Sequence, residues 1–113
     1  MEAQNCVFCK IIVGKVPSKI ITQTDEVIVI DNIAPKAIIH YLIIPKKHIS
    51  DITELNNDDI PLAGQMILMA KQLAAALPGS QAFRLIVNNG SDVGQSVFHL
   101  HFHFLAGQKF SDY

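Results

Sequence analysis

The chain has 113 residues, of which 50% are hydrophobic and 17% charged, with a formal net charge of −1, enough length for one domain with a single real core. No apolar run approaches a membrane span, and Met1-Glu2-Ala3-Gln4-Asn5 lacks the basic start and apolar segment of a signal peptide, so a soluble, cytoplasmic protein is expected. Arg84 is the only arginine, and no electrostatic footprint for long nucleic acids is visible.

No repeat, low-complexity stretch or linker divides the chain, so residues 1–113 read as one domain. Cys6-Val7-Phe8-Cys9 is the first chemical signal. Two cysteines are too few for a disulfide framework. Their C-x-x-C spacing suits half of a tetrahedral zinc site or a redox pair, and two small buried hydrophobes beside Phe8, Ile11 and Ile12 would serve equally well. The segment reads as a short helix ended by Gly14, because Val16-Pro17 cannot continue it.

From Ile20 the pattern changes to strands. Ile20–Gln23 and Val27–Ile30 are β-branched runs around Thr24-Asp25-Glu26, which predicts a hairpin. A polar loop, Asp31 to Lys36, leads to a third strand over Ile38–Ile44, halted by Pro45. His40 shares one face of it with Leu42 and Ile44, and a lone histidine there is more often packed and hydrogen-bonded than catalytic. Pro45-Lys46-Lys47-His48 is a small basic loop that could be a solvated surface, a phosphate-facing patch or the source of a ligand in His48.

Asn57-Asp58-Asp59-Ile60-Pro61 carries the marks of a helix start, a side-chain cap followed by acids and an early proline. Ile60, Ala63, Ile67, Ala70, Leu73, Ala74 and Leu77 repeat at helical spacing up to Pro78-Gly79, with Met66 and Met69 as ordinary helix-face or core positions. Phe83–Asn88 is a fourth strand, and Asn89 to Gly94 a glycine-containing turn. The order of elements favours an α+β domain with an antiparallel sheet.

The turn feeds the most informative stretch, Gly94-Gln95-Ser96-Val97-Phe98-His99-Leu100-His101-Phe102-His103-Phe104-Leu105. Strand alternation puts His99, His101 and His103 in a row on one face, with Phe98, Leu100, Phe102 and Phe104 as an apolar strip on the other. At roughly 3.3 Å per residue the Cα atoms of His99 and His103 lie about 13 Å apart, too far for one ion with metal–nitrogen bonds of about 2 Å. The three rings therefore have separate jobs.

His99-Leu100-His101-Phe102-His103-Phe104-Leu105 resembles the signature of the histidine-triad (HIT) family, and the likeness extends over nearly the whole chain. Phe8-Cys9-Lys10-Ile11-Ile12, Ile43 to Ile49 and Asn88-Asn89-Gly90-Ser91-Asp92 with Gly94-Gln95-Ser96 fall in the order and spacing of its Hint branch of nucleoside phosphoramidases. The resemblance implies a five-stranded antiparallel sheet with one long and one short helix, pairing into a homodimer. It implies hydrolysis of a purine nucleoside phosphoramidate or related nucleotide conjugate, with His101 attacking the α-phosphorus to give a nucleotidyl-histidine. Neutral imidazole is a competent nucleophile near pH 7. His103 would face phosphate and leaving group, Ser96 and backbone N–H groups would bind phosphoryl oxygens, and Gln95 would shape their loop. Asn88 would contact phosphate or ribose, His40 would orient the triad, and Ile33 would wall the base. The same resemblance implies a structural zinc held by Cys6, Cys9, His48 and His99, while the chemical step itself needs no metal.

Two departures stand out. Asn32 occupies the position where the family usually places an acid that binds ribose hydroxyls, and the chain ends at Tyr113 with no tryptophan, where Hint-branch chains continue into a Trp-Pro tail. Three other readings compete: a dinucleoside polyphosphate hydrolase, a nucleotide-binding regulatory dimer with little turnover, and a redox protein using Cys6 and Cys9.

Overall fold

A computed structural model describes residues 5–111; residues 1–4, in which most of the expected absence of a signal peptide was read, lie outside it. Helix α1 (Val7–Ile12) is followed by strands β1 (Ile20–Gln23), β2 (Val27–Asp31) and β3 (Ile39–Pro45), then the long helix α2 (Ile60–Ala76), β4 (Phe83–Ile86) and β5 (Phe102–Ala106). The strands form one sheet in the order β1-β2-β3-β5-β4, every neighbouring pair antiparallel. This is the expected α+β architecture, with five strands, one short helix and one long one.

The sheet carries two cores because its strands alternate. Val27, Val29, Ile43 and Phe104 face α2 and pack on Met66, Met69 and Leu73. Ile28, Ile30, Leu42 and Ile44 face the other way and receive Cys6, Phe8, Cys9 and Ile11 from α1. Strands β2 and β3 are thus nearly continuously buried, covered on both faces, whereas β1 at the edge is mostly exposed. At the outer edge the β1–β2 register shifts between Ile20 and Thr22, a bulge that breaks the regular ladder.

Several boundaries differ from expectation. The cap comes from Asn56, one residue before the predicted stretch. Its side chain accepts from the Asp58 N–H at 2.9 Å, and the Asp59 carboxylate accepts from the Asn56 N–H at 3.1 Å, a capping box on a 3₁₀ turn that runs into α2. The far end is closed by Ser80, fully buried, whose hydroxyl donates to the Leu77 carbonyl at 2.6 Å.

The buried face of α2 also differs. Leu62, Met66, Met69, Ala70, Leu73 and Ala74 are buried, whereas Ile60 is 66% and Ile67 53% exposed. This helix is apolar on more than one side, so helical spacing alone gave two admissible stripes, and the methionines lie on the one that meets the sheet. Strand β4 stops at Ile86 rather than Asn88, because its last pairing is Ile86 with His103, at the start of β5.

The triad segment is only partly strand. The Leu100 N–H donates to the Ile49 carbonyl at 2.6 Å, so the chain leaves the β3 ladder there, and β5 begins only at Phe102. His99 and His101 therefore precede the strand and His103 lies in it. The apolar strip likewise begins at Leu100, for Phe98 is 51% exposed. A Met66→Ala substitution should lower unfolding free energy by about 2–5 kcal/mol in denaturant titration; a loss below about 0.5 kcal/mol would mean the core does not lie under this face.

Candidate active site

The five histidines sort into two linked groups. In the first, α1 starts at Cys6, whose sulfur accepts from the Cys9 N–H at 3.3 Å. Cys6, Cys9 and His99 are buried, and His48 arrives from the loop after β3, which a Lys47–Asp59 ion pair of 2.6 Å ties to the start of α2. His99 Nε2–H donates to the Pro45 carbonyl at 2.7 Å, which leaves Nδ1 without a proton. That bare nitrogen lies 3.2 Å from Cys6 Sγ, 3.6 Å from Cys9 Sγ and 3.1 Å from His48 Nδ1, and His48 Nδ1 is 3.3 Å from Cys9 Sγ.

The four ligand atoms all lie within 4.8 Å of one another. Zinc–sulfur and zinc–nitrogen bonds of about 2.3 and 2.0 Å would give a tetrahedron with edges of roughly 3.3–3.8 Å, so this donor set fits such an ion. Burial pushes the Cys6 thiol upward and, with the neighbouring His48 and His101, pulls His99 down to about 4 against its bond to Pro45. A neutral imidazole is the form that binds a metal.

The second group is built on the first. His101 Nδ1–H donates to the backbone carbonyl of His99 at 2.7 Å, so Nε2 keeps its lone pair. Phe8 meets the rings of His99 and His101 edge-on, with centroids 5.8 and 5.1 Å away. Burial holds His101 below the ordinary imidazole value, although its bond to His99 opposes that shift.

His103 is oriented by a directional chain. The Lys36 N–H donates to His40 Nδ1 at 2.9 Å, so His40 carries its proton on Nε2 and donates to His103 Nδ1 at 2.8 Å. His103 therefore presents Nε2–H. Burial first, then His101 and His40, bring His103 down to about 4, and burial with the Lys36 charge lowers buried His40 despite Asp31.

Asn32 Oδ1 accepts from the Ala34 N–H at 2.9 Å, which turns Nδ2 toward His40 Nε2 at 3.1 Å. Given the tautomer selected by Lys36, that approach brings two donors together.

Two clefts meet here and share Asn32, Ser96, His101 and His103. One, of about 390 Å³, is walled by Phe8, Ile11, Val16, Ile30 and Leu42, with Ile33, 99% exposed, at its rim. The other, of about 490 Å³, is lined by Lys36, His40, Asn88 and Gly94 as well as the shared residues. Gln95, expected to shape the loop, lines neither cleft. It is 4% exposed; its oxygen accepts from the Gly90 N–H at 2.8 Å, and its nitrogen donates to the carbonyls of Ser50 at 2.8 Å and Val97 at 3.1 Å. It holds the loop that carries Ser96, and Gly94 permits that loop's left-handed turn at φ 103°.

Sequence reasoning placed Phe8 only in a core or a motif block and passed over Lys36 and the Pro45 carbonyl. Two of these contacts involve backbone atoms, which carry no residue signal.

Comparisons with known proteins agree with this geometry. Residues 5–112 match the family model described as Scavenger mRNA decapping enzyme C-term binding. An uncharacterized HIT-like protein of Synechocystis sp. is 40% identical over 109 residues, 96% of each chain. The structure of a HIT family hydrolase from Clostridium thermocellum has a TM-score of 0.93 at 40% identity, covering 98% of this chain and 97% of that one. A Zn-bound histidine triad family protein from Mycobacterium smegmatis has a TM-score of 0.80 at 29% identity, covering 96% and 78%. This chain belongs to the histidine-triad (HIT) family and is hydrolase-like.

Proposed function

We propose that this protein is a Hint-like hydrolase that cleaves the bond to the α-phosphorus of a purine nucleoside phosphoramidate through a nucleotidyl-His101 intermediate. The observation that carries the reading is His101 Nε2, left bare by the His99 carbonyl where an apolar cleft meets a polar one. The apolar cleft suits a flat base, with Ile33 at its rim and Asn32 near the sugar. The α-phosphorus then lies at the shared residues, with Ser96, Asn88 and the Gly94 loop toward its oxygens.

In the first step His101 Nε2 forms a bond to phosphorus and the P–N bond breaks. The departing amine takes a proton from solvent, and the phosphorylated ring keeps its Nδ1–H on the His99 carbonyl. Water then attacks phosphorus, His101 leaves as neutral imidazole, and one proton returns to solvent. Splitting the displacement in two lowers each barrier. His103 Nε2–H supplies a neutral donor toward the developing charge, held in direction by His40.

The Cys6, Cys9, His48 and His99 cluster is read as a structural zinc site, an assignment supported by the donor set and by the zinc in the mycobacterial relative. A bound zinc would supply cross-linking of α1 to the triad segment, with no open position for chemistry. A homodimer is also proposed. The exposed Ile60, Ile67 and Leu68 of α2, and Phe83 on edge strand β4, give it an apolar surface. Among the described residues no helix is long and apolar enough to cross a membrane. A cytoplasmic location is carried forward as part of the proposal, for cell fractionation to check.

On adenosine 5′-monophosphoramidate, His101→Ala should reduce AMP release at least about 10³-fold, and rapid quench of the wild type should trap a nucleotide on His101. A His101→Ala protein with near-normal turnover would sink the mechanism. Because burial holds His103 down to about 4, it stays neutral as pH falls from 8 through 6.5, and its protonation breaks the bond from His40 only nearer that value. The kcat/KM profile should therefore keep its plateau through pH 6.5; loss centred there would contradict this protonation scheme.

Purified protein should carry one equivalent of zinc per chain, and its removal by chelator should lower Tm and expose both thiols to a disulfide reagent. Metal-free protein with the same Tm would refute the zinc assignment. Sedimentation should show a dimer that Ile67→Asp converts to monomer, whereas a wild-type monomer at tens of micromolar would remove the dimer from the proposal.

A further inference from the structure

The two clefts divide the substrate at phosphorus. If the base takes the apolar cleft, as the phosphoramidase reading requires, the leaving group must lie in the polar one. The walls of that second cleft are unusual in charge. Its lining contains no carboxylate, and three of its side chains are the imidazoles His40, His101 and His103. Lys36 is the one lining residue with a full formal charge. Its backbone N–H is anchored on His40 Nδ1, which fixes residue 36 at the mouth of the cleft. The Lys36 charge lowers His40, while Asp31, in the lining of the adjoining cleft, opposes it. Among the described residues no carboxylate lies within ion-pair distance of Lys36. A cation with no partner among the described residues, beside the proposed reaction centre, would select charge.

We infer that Lys36 reads the leaving group, and that the preferred substrates carry an anion, carboxylate or phosphate, on the leaving side of the α-phosphorus. The inference rests on the proposed reaction for its orientation but adds the chemical class of the group expelled. Lys36 is exposed, so its effect is modest and screened by salt. It acts on discrimination between leaving groups and not on bond making at His101.

The experiment compares two adenosine 5′-phosphoramidates that differ in one carboxylate, one of aspartate α-amide (the aspartate compound) and one of asparagine α-amide, so that only the first carries an anion on the leaving side. Wild type at low salt should favour the aspartate compound in kcat/KM by about three- to fivefold. The ratio should shrink as sodium chloride is raised. Lys36→Met, which keeps the backbone N–H on His40, should bring the ratio to about one, and Lys36→Glu should invert it. The same pair is titrated calorimetrically into His101→Ala protein, where preference is read without turnover.

Equal rates and affinities for the two compounds in wild type, or a preference unchanged in Lys36→Met, would overturn the inference while leaving the phosphoramidase reading intact. No cleavage of either compound, together with tighter binding of the aspartate one that depends on Lys36, would support the inference and defeat the phosphoramidase reading instead. ADP serves as the phosphate probe. Tighter binding of ADP than of the aspartate compound, lost in Lys36→Met, identifies phosphate as the source of the anion; the reverse order identifies carboxylate.

Discussion

Everything at this site hangs on the three polar contacts of His99. The residue is fully buried, so each of its hydrogen-bonding groups needs a partner inside the protein. Its Nε2–H goes to Pro45, its Nδ1 faces the two sulfurs and His48, and its carbonyl receives the proton of His101. One residue thus decides which nitrogen of the neighbouring histidine is free. The four-donor cluster and the bare nitrogen of His101 are not two sites placed side by side, because they share a backbone unit.

That sharing explains the position of α1. Six residues make a poor helix by themselves, and this one is held by burial of Phe8, Cys9 and Ile11 and by the cap from Cys6. Phe8 then touches both His99 and His101. On the opposite face, α2 supports the sheet through Met66, Met69 and Leu73. Both faces of the sheet carry a core, the larger one under α2 and the smaller one under α1, beside the histidine rings.

The β-branched runs and the alternating triad were legible because each depends on local pattern. Ile20 to Ile30 announces a hairpin, and the spacing of His99, His101 and His103 excludes a single metal. Less was legible where a distant residue decides. Periodicity could not choose between Ile67 and Met66 on a helix apolar around much of its circumference. Nor could it foresee that Leu100 would bond to Ile49 and delay β5 until Phe102. That Gln95 shapes the loop carrying Ser96 could be expected from family resemblance, but its actual partners, Gly90, Ser50 and Val97, could not. The four-ligand cluster was readable only through family resemblance, since residues 93 positions apart carry no mutual spacing rule.

The irregular register between Ile20 and Thr22 bears on how such sheets behave when concentrated. An open sheet has two edges, and a chain that could extend from both would grow without limit. Here the bulge spoils β1 as a template, which leaves β4 as the smoother margin. Self-association through that margin would have a natural stopping point at two copies: once the good edges face each other, what remains outward is a kinked strand that refuses further polymer growth.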